Sequence, residues 1–218
     1  AEDIYEYSRM INEGINHLWF YHSHHLLYGE LITKIKSLLF LFNFELTALE
    51  IMRLVSSFSA AGIIFILFQF FLKKLKLDYK VSLFSLMMYA FSYGFIRYSG
   101  EAEIVILASF LGISSVYLST SNKSSKFLFL VSILISSFSI LIHIMNAILI
   151  FICIPLYYLL KKEINKLLIF SVSCLFIVFC IYAYFFFNDL LFYENSGIDI
   201  NFNIGNVVKG LIGISQAI

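Results

Sequence analysis

Charge is scarce in this chain. Only 13% of its 218 residues are Asp, Glu, Lys or Arg, about half the share of an ordinary soluble domain, while 61% are hydrophobic. With a mean hydropathy of +0.89, too little polar surface remains to cover a water-facing shell. Disorder is excluded too, because it needs high charge and low hydrophobicity. A net charge of +1 gives no electrostatic footprint for nucleic acid. Proline occurs once, at Pro155, and the three cysteines, Cys153, Cys174 and Cys180, lie in apolar runs without metal-ligand spacing. They read as buried, inert thiols. What is abundant is Phe, Tyr, Ile and Leu, the composition of lipid-exposed helices. The chain reads as an integral membrane protein.

A bilayer core of about 30 Å takes roughly 20 helical residues. Within it only helices or closed barrels satisfy the backbone, and no ten-residue alternating pattern appears. The candidate spans are Glu50 to Leu72, Val81 to Tyr98, Ile104 to Ser119, Phe127 to Ile142, Asn146 to Leu160 and Lys166 to Phe187. Three lysine-bearing loops punctuate them: Lys73 to Lys80, Asn122 to Lys126 and Lys161 to Lys166. The positive-inside rule puts all three in the cytoplasm, so each intervening stretch crosses an even number of times. Phe127 to Leu160, for example, would be about 51 Å as one helix, too long for one crossing and adequate for two short ones turning near His143. The predicted fold is all-α, a polytopic transmembrane bundle of about six spans with both ends extracytoplasmic. Residues 1–49 form a first outer loop with interfacial helices, one of them over Leu31 to Phe44. Residues 50–187 form the bundle, and 188–218 a further outer loop. The polar start at Ala1 reads as following another N-terminal segment, such as a transmembrane anchor, and the last stretch as a shortened loop.

This topology sorts the ionisable groups. Nine of the twelve lysines fall inside, with only Asp78 and Glu163 beside them. The other carboxylates, all five histidines and all three arginines fall at the outer face. Any chemistry is expected there, at a cell (inner) membrane with the site on the extracytoplasmic side.

Four segments carry the candidates. A helix from Ala1 puts Asp3 and Tyr7 on one face and Gly14 near its end. It is either a solvated acidic surface helix or the carrier of a general base. His17, His22, His24 and His25 invite a metal reading, but neither His-x₃-His with a catalytic Glu nor a Cys partner accompanies them, so no metal is assigned and no cofactor is expected. With Trp19 and Tyr28 that segment fits an aromatic belt at headgroup level. In the turn Arg97 to Glu103, Arg97 and Glu101 are an i, i+4 ion pair or a site, and Glu101 and Glu103 would face opposite ways in a helix. His143 marks the other outer turn, and Glu50 with Arg53 reads as a structural ion pair.

In order and sidedness, Asp3 with Tyr7, then His25-Leu26-Leu27-Tyr28, then Arg97-Tyr98-Ser99-Gly100-Glu101-Ala102-Glu103 resembles the polytopic C-type glycosyltransferases. These include the protein O-mannosyltransferases and the bacterial lipid-A and arabinosyl transferases. The resemblance implies an inverting transferase fed by a polyprenyl-phosphate-linked sugar donor, with a glycan, lipid or protein acceptor. It implies Asp3 as catalytic base, with Glu2 as fallback, and Glu101 or Glu103 as the second-loop acid. Arg97, His25, Tyr28, His143 and Tyr7 would bind substrate. The departures are the absent first span, later spans and periplasmic domain, and the lack of prolines near the His-Leu-Leu-Tyr element. The rival reading is a transporter or a non-catalytic, lipid-handling subunit. Transporters place ionisable residues near the bilayer midplane, whereas these spans hold Ser and Tyr but almost no charge.

Overall fold

A computed structural model of the chain describes residues 2–14, 26–120 and 125–196, with the side chains of 5–14, 26–120, 125–185 and 187. Among them every regular element is helical: α1 Glu2–Glu13, α2 Tyr28–Leu41, α3 Ala48–Lys73, α4 Tyr79–Ala90, α5 Tyr93–Gly100, α6 Ile104–Ser119, α7 Lys126–Ile142, α8 Asn146–Leu160 and α9 Ile164–Ser196. The chain forms two compact units, Ala1–Ile181 and Tyr182–Ile218. The described part of the second is the remainder of α9, where Tyr184 and Phe185 stack edge to face at 5.5 Å.

Among the described residues two helices are long and apolar enough to cross a membrane, α3 and the Ile164–Phe185 part of α9; α5 and α6 would make a third if their 109° bend is one broken span. The surface supports a membrane environment. In the first unit Phe58 is 75% exposed, and Phe84, Phe176 and Phe179 are similarly bare, while Ser56, Ser115, Ser132 and Ser136 are buried. Water would favour the reverse arrangement.

Local signals explain most helix ends. Gly14, at φ +68°, follows α1, a conformation that costs glycine little. Thr47 and Glu50 close a capping box at the start of α3, with the Thr47 N–H donating to Glu50 Oε2 at 2.8 Å. Glu50 therefore acts first as a helix cap, and Arg53 adds a weaker electrostatic attraction. The expected span Val81 to Tyr98 is two helices, because Ser92 opens α5 by accepting from the Phe95 N–H. The expected interfacial helix starts earlier, at Tyr28, and ends at Leu41. Of the three thiols only Cys174 is buried; Cys180 is exposed.

Small residues hold the centre together. Ala108, Gly112, Ser115 and Ser119 line one stripe of α6, and Ser132, Ser136 and Ser139 one stripe of α7. Ser139 Oγ donates to the Ala108 carbonyl at 2.8 Å and Ser115 Oγ to the Ser132 carbonyl at 2.9 Å, so the two helices run antiparallel. The Ser115 and Ser136 hydroxyls bond each other directly. A Cβ at Gly112 would sit 3.2 Å from Leu149 of α8 and 3.3 Å from Ser139 Oγ. On α3, Gly62 leaves room for the Phe110 ring of α6, which a Cβ would overlap.

This arrangement defines two ends of the first unit. Tyr7, Tyr28, Ile51, Ala102, Ile104 and Ile142 form one cluster, which joins α1 and α2 to the starts of α3 and α6 and the end of α7. Asn12 Oδ1 locks it by accepting from Lys36 Nζ at 2.8 Å and from the Ala48 N–H at 3.1 Å. At the other end Lys74 Nζ bonds the Thr120 carbonyl and lies 5.8 Å from the Tyr117 ring centroid. Burial pulls the Lys74 pKa below its usual value. The described lysines of the three loops thus gather where α3, α6 and α8 end.

Replacing Gly112 by Leu is expected to wedge α6 from α7 and α8 and to cost about 1–3 kcal/mol, the usual penalty of overpacking. Gly94→Ala, where a Cβ meets nothing within 4 Å, should be neutral or slightly stabilising. Thermal unfolding of the two variants in one detergent checks this.

Candidate functional site

The predicted site residues that the structure describes lie at the end of the unit that carries α1 and α2, and they divide into two groups. Tyr28 belongs to the first. It opens α2 and is fully buried. One residue earlier, the Leu27 N–H donates to the Leu141 carbonyl at 3.2 Å, which pins the start of α2 to the last turn of α7. The Tyr28 hydroxyl finds no hydrogen-bond partner among the described residues. Burial, and secondarily the negative charge of Glu103, push its pKa well above the ordinary phenol range. Tyr28 and Glu103, from the first and second polar loops, therefore share one electrostatic environment.

Glu103 is half-buried just before α6, where its carbonyl accepts from Ser56 Oγ of α3 at 3.1 Å. Its N–H closes back on the Glu101 carbonyl at 2.8 Å. The two acids thus sit in a tight turn rather than in a helix, and the expectation of opposite helical faces does not apply. They differ through surroundings instead: Glu101 is exposed and Glu103 half-buried.

His143 terminates α7, directly after the clustered Ile142. Its Nδ1 accepts from the Met145 N–H at 3.3 Å, which places the proton of the neutral ring on Nε2. Its carbonyl accepts from the Asn146 N–H and so starts α8. Tyr7 is buried in the same cluster from α1. Asp3 lies one helical turn before Tyr7 in α1.

Arg97 and Glu101 form the second group. They make an i, i+4 ion pair at 3.6 Å with both side chains about half exposed, the local pairing foreseen from their spacing. His25, with the other three histidines of its segment, lies outside the described residues. A cavity of about 740 Å³ opens at the opposite end of the unit and includes none of the predicted site residues.

Sequence reasoning missed the role of Asn12, which ties α1 to α2 and α3. Its one signal was a short polar side chain on a helix otherwise ending in Glu13 and Gly14.

A buried hydroxyl without a partner costs stability, on the order of 1–3 kcal/mol. Tyr28→Phe is therefore expected to fold at least as stably as the parent at neutral pH. The raised folded-state pKa adds a sign. In the unfolded chain the phenol ionises near pH 10, so the stability from keeping it neutral is complete below that pH and is lost as pH rises above it. The variant should lack that part of the alkaline decline, as melting temperatures between about pH 8 and 11 would reveal.

Protein-family models, curated proteins and solved structures yield no match to this chain.

Proposed function

We propose that the protein is an inverting membrane glycosyltransferase that moves a sugar from a polyprenyl-phosphate donor to an acceptor hydroxyl. The observation that carries this reading is the single cluster uniting Tyr7, Tyr28, Ala102 and Ile142. The three segments that the resemblance assigns to one site meet there with the turn at His143, although long apolar runs separate the first two from the others in sequence.

In the proposed reaction Asp3 takes the proton of the acceptor hydroxyl. The freed oxygen attacks the anomeric carbon from the face opposite the phosphate, and the sugar–phosphate C–O bond breaks with its electron pair on the departing phosphate monoester. Charge grows on that phosphate, so it needs donors rather than a strong acid. His143, half-buried at the end of α7, suits this task, with Tyr28 buried in the neighbouring cluster. Glu103, with Glu101 as the alternative, is the second-loop acid. The donor's lipid tail would lie along the apolar helix surface.

The proposed topology has six crossings with both ends extracytoplasmic. At 17 and 15 residues α7 and α8 reach about 25 and 22 Å. Both are short of the usual core thickness, a mismatch that local thinning accommodates. Single-cysteine variants in a cysteine-free background test the sidedness. Lys80 and Lys162 positions should label from one side, and Glu101 and His143 positions from the other. Labelling of Glu101 and Lys162 positions from the same side would end the six-span topology.

Activity is tested by transfer from polyprenyl-phosphate sugars in membranes. Asp3→Asn keeps size and polarity but cannot accept a proton, and a loss of about 10²- to 10⁴-fold is expected at unchanged expression. Glu6 is exposed and paired with Arg9 at 2.5 Å, so Glu6→Gln should cost less than about tenfold. Near-normal transfer by both Asp3→Asn and Glu2→Gln would remove the proposed base.

A further inference from the structure

An open cavity lies away from the proposed reaction site. The cavity of about 740 Å³ is framed by the ends of α6 and α8 and the starts of α7 and α9. Its charged lining is Lys126, Lys161, Lys166 and Glu163, a net positive mouth. Lys166 and Glu163 neutralise each other at 3.0 Å. Lys126 and Lys161 have no ion-pair partner among the described residues. Below them the wall turns apolar and aromatic, with Leu118, Phe129, Tyr157, Tyr158 and Ile169. Phe129 and Tyr158 meet edge to face at 6.0 Å, and Tyr157 and Tyr158 at 5.5 Å.

An occupant must match both halves: an anionic group at the lysines and hydrocarbon against the wall. Free phosphate satisfies only the first, and a neutral lipid only the second. The position also fits, because α8 gives way to Lys161 and α7 opens with Lys126 here, at the level where headgroup phosphates would lie. Basic pockets between membrane helices hold acidic headgroups by this physics. Two helices, α7 and α9, start at the cavity and turn the positive ends of their dipoles to the same end.

We propose that this cavity is a binding site for an acidic phospholipid, with its phosphate engaged by Lys126 and Lys161 and its acyl chains on the Phe129–Tyr158 wall. The site is independent of the glycosyltransferase reading, and its test does not use transfer activity.

The test is native mass spectrometry of the full chain, delipidated in a non-ionic detergent and titrated with phosphatidylglycerol, phosphatidylcholine or a polyprenyl phosphate. Phosphatidylglycerol should bind in preference to phosphatidylcholine. The double variant Lys126→Gln/Lys161→Gln should weaken phosphatidylglycerol binding by roughly 10- to 30-fold and leave phosphatidylcholine unchanged. Lys126→Arg/Lys161→Arg keeps the charge and should retain binding, which separates lost attraction from lost folding. Lys34→Gln, at the opposite end, should behave as the parent. Equal affinity of the parent for both phospholipids, or parental affinity in the double Gln variant, overturns the proposal. Tighter lysine-dependent binding of the polyprenyl phosphate than of phosphatidylglycerol overturns it as well, assigning the cavity to that lipid.

Discussion

The close approach of α6 and α7 is the constraint on which the other placements depend. Two apolar helices gain little from meeting in an apolar solvent, because lipid tails are as hydrophobic as leucine; association relies on tight packing and hydrogen bonds. Ala108, Gly112 and Ser115 against Ser132, Ser136 and Ser139 provide both. Small side chains bring the backbones together, and the hydroxyls of Ser115 and Ser139 donate to carbonyls of the facing helix. Once this seam is set, α3 packs on α6 through the gap at Gly62, and Asn146 at the start of α8 donates to Ser139 at 3.1 Å. The antiparallel seam also brings the start of α6 beside the end of α7. Glu103 and His143 owe their common end to it.

The two ends of the first unit then acquire different physics. At one, α1 and α2 close over the core, and apolar side chains surround a tyrosine hydroxyl beside a carboxylate. That arrangement spends stability: the phenol is desolvated, has no described partner and faces negative charge. Packing alone would favour phenylalanine there, so the hydroxyl is a feature that the described core does not require. At the other end Lys126, Lys161 and Lys166 line an open cavity between helix ends. The first end is buried and electrostatically tense, whereas the second is open and cationic.

Much of this was legible in the residues. The scarcity of charge announced apolar helices, the lysine loops marked where α3 and α8 stop, and Gly14 marked the end of α1. The i, i+4 pairing of Arg97 with Glu101 followed from spacing. Other features left no local trace. The break between α4 and α5 falls in Phe91-Ser92-Tyr93, where hydropathy barely changes and a single serine cap decides the outcome. Glu50 was matched with Arg53 by spacing, yet Thr47 lay closer and offered both a hydroxyl and a backbone N–H. The serines of α6 and α7 were visible as polar interruptions, but their meaning depended on which helix they faced.

By itself the sequence determined the solvent this protein requires, the helical class of its segments and most places where they end. Each of these is a local preference, settled residue by residue through transfer free energy, backbone propensity and capping. Only the tertiary structure decided that Tyr28 would be buried beside Glu103, that Asn12 would bridge three helices and that Lys126 and Lys161 would share a cavity. These are pairings between residues far apart in sequence, and no residue's own preference encodes its distant partner. Their geometry comes from how closely α6, α7 and α3 can approach, and that is set by the absence of side-chain atoms at Gly112 and Gly62.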